Sequence, residues 1–208
     1  MKFHYFDAYG GGESVRMLLT KAGVAFEDVR MNREQLNEMK QQPGVLEYGQ
    51  LPMLELDDGT RLVQSQAILR FVARKHGFEA ENALDMYKGE QMLQHFTEDI
   101  IQRQLMKVFF MPDGEEKAKA MENVHTNVMP AYLQKVDGWT AGKKWLLGDK
   151  FTFYDAGIAG FFVNMVLNEK NPQHEKWKAL WDAHAGENLK KYVATFREEF
   201  KDYLANRP

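Results

Sequence analysis

The sequence contains no cysteine. That excludes a disulfide scaffold, a Cys-ligated zinc site, an iron–sulfur cluster and a protein thiol acting as nucleophile. An excess of charge of one sign is also missing. Lys and Arg number 27 and Asp and Glu 30, a net charge of −3. Such a balance gives no global pull toward nucleic acid or an anionic membrane. Long apolar runs are absent too. The stretch from Gly157 to Leu167 is broken by Asn164 and falls far short of the ~20 residues that span a bilayer. The opening Met1-Lys2-Phe3-His4-Tyr5-Phe6 lacks the apolar core of a signal peptide. A cytoplasmic protein without membrane or nucleic-acid partners is expected. The six histidines, His4, His76, His95, His125, His174 and His184, show no ligand spacing such as His-Glu-x-x-His. No metal site is expected.

What is present is ordinary globular material: 208 residues, 44% apolar and 27% charged, enough to bury a core. The 12 methionines read as adaptable core filler. The two parts of the chain differ in pattern. Up to about residue 76, strand and helix signals alternate. Lys2 to Phe6 is a short aromatic strand. After a turn, Val15, Leu18, Leu19 and Ala22 share a helical face ended by Gly23. Phe26 to Met31 forms a second strand, and Asn32 to Gln42 a polar helix stopped by Pro43-Gly44. Met53 to Leu56 and Arg61 to Val63 flank Asp57-Asp58-Gly59-Thr60, a hairpin signal. Ala67, Ile68, Phe71 and Val72 mark a helix closed by Gly77. The first βαβ unit implies a parallel pair with a right-handed crossover.

From about Asn82 the pattern is helical. One long helix covers Leu84 to Met111 and a second Glu115 to Val136. Thr152-Phe153-Tyr154-Asp155 fits a capping box opening a buried helix that runs from Ala156 to Leu167. Two Trp- and Lys-rich helical stretches follow. The fold class is therefore α/β plus all-α, with domains at 1–77 and 82–208 joined by Gly77 to Glu81.

Three local features bear on chemistry. Tyr5 ends a strand and precedes Gly10-Gly11-Gly12 and a helix. Backbone N–H groups at such a turn make an anion site; the alternative is a buried tyrosine satisfied by backbone. The glycines lack the spaced G-x-G-x-x-G pattern, and no Gly-Lys-Ser/Thr follows, so nucleotide binding is disfavoured. Leu51-Pro52 precedes a strand, where Pro is expected. A cis bond there would leave backbone groups free to pair with a peptide-like ligand; the alternative is a trans turn. Gln64-Ser65 opens a helix after a strand. Ser65 reads first as an N-cap, and the same N-terminus could cradle a carboxylate.

These features occur together, in order: Tyr5-Phe6 before a glycine turn, Tyr48-Gly49-Gln50-Leu51-Pro52, Gln64-Ser65-Gln66-Ala67-Ile68, Glu98-Asp99 and Thr152-x-x-Asp155. In that combination the chain resembles a cytosolic glutathione S-transferase of the tyrosine type, sigma-like with pi, mu and alpha features. The resemblance covers essentially the whole length. It implies a thioredoxin-like N-terminal domain, an all-helical C-terminal domain and a homodimer, with glutathione as co-substrate.

It further implies that Tyr5 stabilises the glutathione thiolate. Pro52 would be a cis proline, with the Leu51 backbone pairing strand-like with the cysteinyl unit. Gln64 and Ser65 would hold the γ-glutamyl carboxylate, Lys40 and Gln50 the glycyl carboxylate. Asp99 would reach the γ-glutamyl amine of the other subunit, Tyr48 would insert into the partner as an aromatic key, and Thr152 and Asp155 would form a structural capping box. Phe6, Ala8 and Tyr9, with Met106, Phe109 and Phe110, would line the electrophile pocket; Met and Phe at helical spacing are otherwise core residues. Two positions depart from the family pattern. Gly11 stands where tyrosine-type members often carry Arg, and Leu36 where a Trp is common. The function implied is transfer of glutathione to small hydrophobic electrophiles. The alternatives are a non-catalytic S-crystallin-like or ligand-carrier protein, or a sigma-type prostaglandin D isomerase.

Overall fold

A computed structural model describes residues 1–207 and divides the chain into two units. The first holds residues 1–79 together with the segment from Phe200 onward; the second is Ala80–Glu199. The last helix of the expected 82–208 stretch packs within the first unit. Helical periodicity finds the last helix but carries no information about which unit it packs on.

In the first unit the order is β1 (Lys2–Phe6), α1 (Glu13–Lys21), β2 (Glu27–Met31), α2 (Arg33–Lys40), β3 (Met53–Glu55), β4 (Arg61–Val63) and α3 (Ser65–His76). The sheet order is β2-β1-β3-β4. β1 pairs parallel with β2, Lys2 opposite Glu27 through Phe6 opposite Met31. β3 is antiparallel to both β1 and β4. The Asp-Gly signal forms its hairpin: Gly59 takes φ +84, and the Leu56 N–H donates to the Thr60 carbonyl at 2.9 Å. Asn32 caps α2 in a reciprocal box with Gln35. Gly77, at φ +77, closes α3 in the left-handed region.

Phe3, Val15, Leu18, Leu19, Leu54, Ile68, Leu69 and Val72 form the core of this unit. The buried stripe of α3 sits one residue from its expected place. Leu69 and Ala73 are buried, whereas Ala67 and Phe71 face outward. α1 is buried nearly all round, including Glu13 and Arg16.

In the second unit, α4 (Ala83–Gln94) continues without a break through a π-helical segment (His95–Met106) into α5 (Lys107–Phe109). α6 (Glu115–Asn123) likewise continues through π-helical Val124–Val128 into α7 (Met129–Thr140). α8 (Phe153–Phe161) leads into π-helical Phe162–Val166, followed by α9 (His174–His184) and α10 (Glu187–Glu199). The final helix of the chain, α11 (Lys201–Asn206), belongs to the first unit. The Thr152/Asp155 capping box is present at the start of α8. Its carboxylate is fully buried and accepts from the Leu146 N–H (2.9 Å), the Thr152 N–H (2.8 Å), the Thr152 hydroxyl (3.0 Å) and the Tyr192 hydroxyl (2.9 Å). One side chain thus fixes the loop before α8, the start of α8 and α10. Among the described residues no helix is long and apolar enough to cross a membrane.

Candidate active site

Strand register brings three of the expected residues to one end of the sheet. His4 pairs with Met53, and Met53 with Val63. Tyr5 follows His4, Pro52 precedes Met53 and Gln64 follows Val63. The antiparallel ladder therefore places Tyr5, Pro52 and Gln64 at the same end of three adjacent strands. The helices that follow β1 and β4 also start there, and both N-termini carry the partial positive charge of their dipoles.

Tyr5 lies against the glycine turn. The Gly12 and Gly11 backbone N–H groups face its hydroxyl and pull its pKa down. Burial raises the Tyr5 pKa, and these two groups, with the Arg16 charge, work against that rise. The hydroxyl is protonated near neutral pH. A protonated phenol there can donate its O–H to an anion. The turn must be glycine for a geometric reason. A Cβ on Gly12 would lie 2.4 Å from the Tyr5 ring, and one on Gly10 2.8 Å from the hydroxyl. At Gly11 a Cβ would stand 3.8 Å from that oxygen, an ordinary contact.

Arg16 anchors the whole arrangement. It donates to Asp28 on β2 (2.8 Å), to the Ala8 and Phe6 carbonyls (2.9 and 3.2 Å) and to Glu13 (3.1 Å). Its guanidinium lies 5.6 Å from the Tyr5 ring centroid. Sequence reasoning singled out neither member of this buried pair. The available signal was an i, i+3 Glu–Arg pair set among the apolar residues of α1, in positions where a surface pair would not be buried.

The Leu51-Pro52 bond is cis, as the resemblance implies. Ser65 is not the N-cap of α3. It is the first helical residue, and the cap position is Gln64, which makes no side-chain capping bond. Gln64 holds φ +72, ψ +109, the one positive φ outside glycine among the described residues. Such a backbone stores about 1–3 kcal/mol and tends to occur where a ligand is held. Lys40 ends α2 and runs past Gly49, its Cε 3.8 Å from where a Gly49 Cβ would be. That contact sets the lysine beside the Gly49-Gln50-Leu51 loop. Gln50 is exposed and Leu51 half-buried. Phe6 and Tyr9 are half-buried and Ala8 is exposed.

The remaining expected residues belong to the helical unit. Asp99 takes 2.9 Å from His95 Nδ1 and 2.7 Å from Arg103, each one turn away. The His95 hydrogen bond, then the Arg103 charge, hold its carboxyl below the usual range. Phe109 and Phe110 are not core residues: they are 64% and 70% exposed and pack edge to face at 5.3 Å. Met106 is half-buried. Tyr48, in the first unit, is 58% exposed. Among the described residues no three His, Asp or Glu side chains gather in a way that could hold a metal ion.

Comparison with known proteins gives the family. The model of the glutathione S-transferase N-terminal domain matches residues 1–74, and that of the C-terminal domain residues 98–207. "Glutathione S-transferase 1" of Ascaris suum is 28% identical, the match covering 100% of this chain and 96% of that protein. "S-crystallin SL11" of Nototodarus sloanii is 29% identical over 81% of each chain. A structure of prostaglandin synthase D of Nilaparvata lugens superposes with a TM-score of 0.83 at 26% identity, covering 100% of this chain and 98% of the other. A thioredoxin-like sheet carrying a tyrosine on a glycine turn, followed by an all-helical unit, defines the class, and the chain belongs to the glutathione S-transferase family. It is an enzyme of that family, whose members use glutathione as co-substrate.

Proposed function

We propose that the chain activates glutathione through Tyr5 and transfers it to small hydrophobic electrophiles. The observation that supports this reading is the Tyr5 hydroxyl lodged against the glycine turn, at the sheet end where Pro52 and Gln64 also lie, a protonated donor for an incoming sulfur. A free thiol with pKa about 8.5 is only a few per cent thiolate at pH 7. A hydrogen bond donated to the charged form lowers that pKa. The thiol proton departs to solvent, the sulfur lone pair forms the new bond to the electrophilic carbon, and the displaced electron pair leaves with the acceptor's leaving group or passes into its π system.

The other residues hold the tripeptide. The first turn of α3, with Gln64 and Ser65, receives the γ-glutamyl carboxylate. The Leu51 backbone before cis Pro52 pairs with the cysteinyl amide. Lys40 and Gln50 bind the glycyl carboxylate. Asp99 of a second copy in a homodimer takes the γ-glutamyl amine, and Tyr48 keys the two copies together. Phe6, Ala8, Tyr9, Met106, Phe109 and Phe110 are the residues proposed for apolar contact with the acceptor. The cytoplasm is the expected location.

The test is Tyr5→Phe. Turnover with a chloronitrobenzene acceptor should fall at least tenfold, the loss of about 1.4 kcal/mol of transition-state stabilisation, while glutathione affinity stays within about twofold. Unchanged turnover would remove Tyr5 from the mechanism. A second reading is favoured by one observation, glycine rather than arginine at position 11: a binding protein like the S-crystallins. Glutathione binding with no bound thiolate across pH 5 to 9 would select it.

A further inference from the structure

Glu13 is the first residue after the glycine turn, and its side chain has no exposed surface. A carboxylate buried that fully is costly unless donors surround it. Arg16 gives Oε2 a hydrogen bond of 3.1 Å, but the same guanidinium also serves Asp28 and two carbonyls. The balance comes from α11 and the residue that follows it, nearly 200 residues along the chain. The Tyr203 hydroxyl donates to Glu13 Oε1 at 2.8 Å, and Arg207 Nη1 to the same oxygen at 3.2 Å. The Arg207 side chain is 8% exposed, and its guanidinium lies 4.4 Å from the Tyr9 ring centroid. Burial beside the Glu13 charge holds the Tyr203 phenol protonated, so it acts as a neutral donor.

These contacts bear on the turn itself. The Glu13 N–H donates to the Gly10 carbonyl at 3.0 Å, closing the glycine turn that packs against the Tyr5 ring and hydroxyl. We propose that Tyr203 and Arg207 are positioning residues for Tyr5, acting through Glu13 and the glycine turn. Arg207 brings a second positive charge to Glu13 and leaves Arg16 to its carbonyl partners on β1 and the turn. Without it, Arg16 is drawn toward Glu13 and loosens from the Ala8 and Phe6 carbonyls. The turn shifts, and the Tyr5 proton no longer points at the sulfur. Arg207 also fixes the Tyr9 ring, so the same residue orients part of the face offered to the acceptor.

The inference rests on the proposed role of Tyr5, and the experiment separates the two. The ultraviolet difference spectrum of bound glutathione is titrated from pH 5 to 9 for the wild type, Tyr203→Phe, Arg207→Ala and Arg207→Lys. Glutathione affinity and thermal unfolding are followed in parallel. In Tyr203→Phe, which loses one oxygen atom, and in Arg207→Ala, the bound thiol should titrate at least about half a unit higher. That is roughly a threefold loss of thiolate below the pKa. Affinity should change less than about twofold, and Arg207→Lys should recover most of the shift. Variants that melt earlier but titrate like the wild type overturn the proposal and leave Tyr203 and Arg207 as stability residues. If the wild type itself binds glutathione without forming thiolate, the Tyr5 reading fails first and this inference fails with it.

Discussion

At the scale of single residues, the site depends on where a carbon atom cannot be. Gly12 has an ordinary helical-region backbone, φ −80, ψ −20, so conformational freedom is not why it is glycine. The Tyr5 ring occupies the space of its side chain. Gly12→Ala should therefore push the ring off the turn and cut turnover by at least tenfold, with a loss of stability of about 1–3 kcal/mol from overpacking. Gly11→Arg is the contrasting change. Its Cβ meets the Tyr5 hydroxyl at 3.8 Å, so the variant should fold normally. An added cation near the sulfur should lower the bound thiol's pKa, measured by the same ultraviolet titration. A Gly11→Arg protein whose thiol titrates no lower than the wild type would show that the missing charge does not limit activation. Tyr5 and the glycines were legible in the sequence because a strand, a turn and a helix adjoin there. The reason for Gly12 was not, since close approach of a ring is a tertiary fact.

At the scale of elements, order and type were legible and partners were not. The hairpin, the α3 stop at Gly77 and the Thr152 capping box follow from local chemistry that a few residues encode. The N-cap of α3 did not follow. Ser65 suits a cap by type, yet strand register puts Gln64 at the corner and strains its backbone instead. Periodicity likewise misplaced the buried face of α3 by one residue, because Ala67 and Phe71 fit an apolar stripe as well as Leu69 and Ala73 do.

The Asp155 node yields a prediction at this scale. Burial pushes its carboxyl up to about 6 from the ordinary 3.8, against the pull of its four hydrogen-bond donors. The folded state then binds a proton more tightly than the unfolded chain. The stabilisation linked to Asp155 is complete below about pH 4 and is lost as pH rises through 6. Asp155→Asn should cost about 2–4 kcal/mol by stranding buried donors. Denaturant unfolding should show the gap from wild type narrowing between pH 4 and 6; a gap that widens would reverse the sign of the linkage.

At the scale of the whole molecule, assembly is the open quantity that one measurement decides. Tyr48, exposed at 58%, and Asp99 are both assigned to a second copy, so light scattering at micromolar concentration should give about twice the 24.2 kDa chain mass. A mass near one chain would leave the γ-glutamyl amine without its proposed acceptor. The chain also visits its first unit twice, before and after the helical unit, and Glu13 meets Tyr203 across 190 residues. Closing so long a loop costs little more than closing a shorter one, about 0.6 kcal/mol per doubling; what it costs is time. A ribosome delivers the glycine turn early and its last donors only after the whole helical unit has emerged. A chain interrupted anywhere before Tyr203 holds Tyr5 on a turn whose buried carboxylate is only half answered. Tyr5 is made before the contacts proposed to align it, so a copy stopped short of Tyr203 carries the hydroxyl proposed for thiol activation without them.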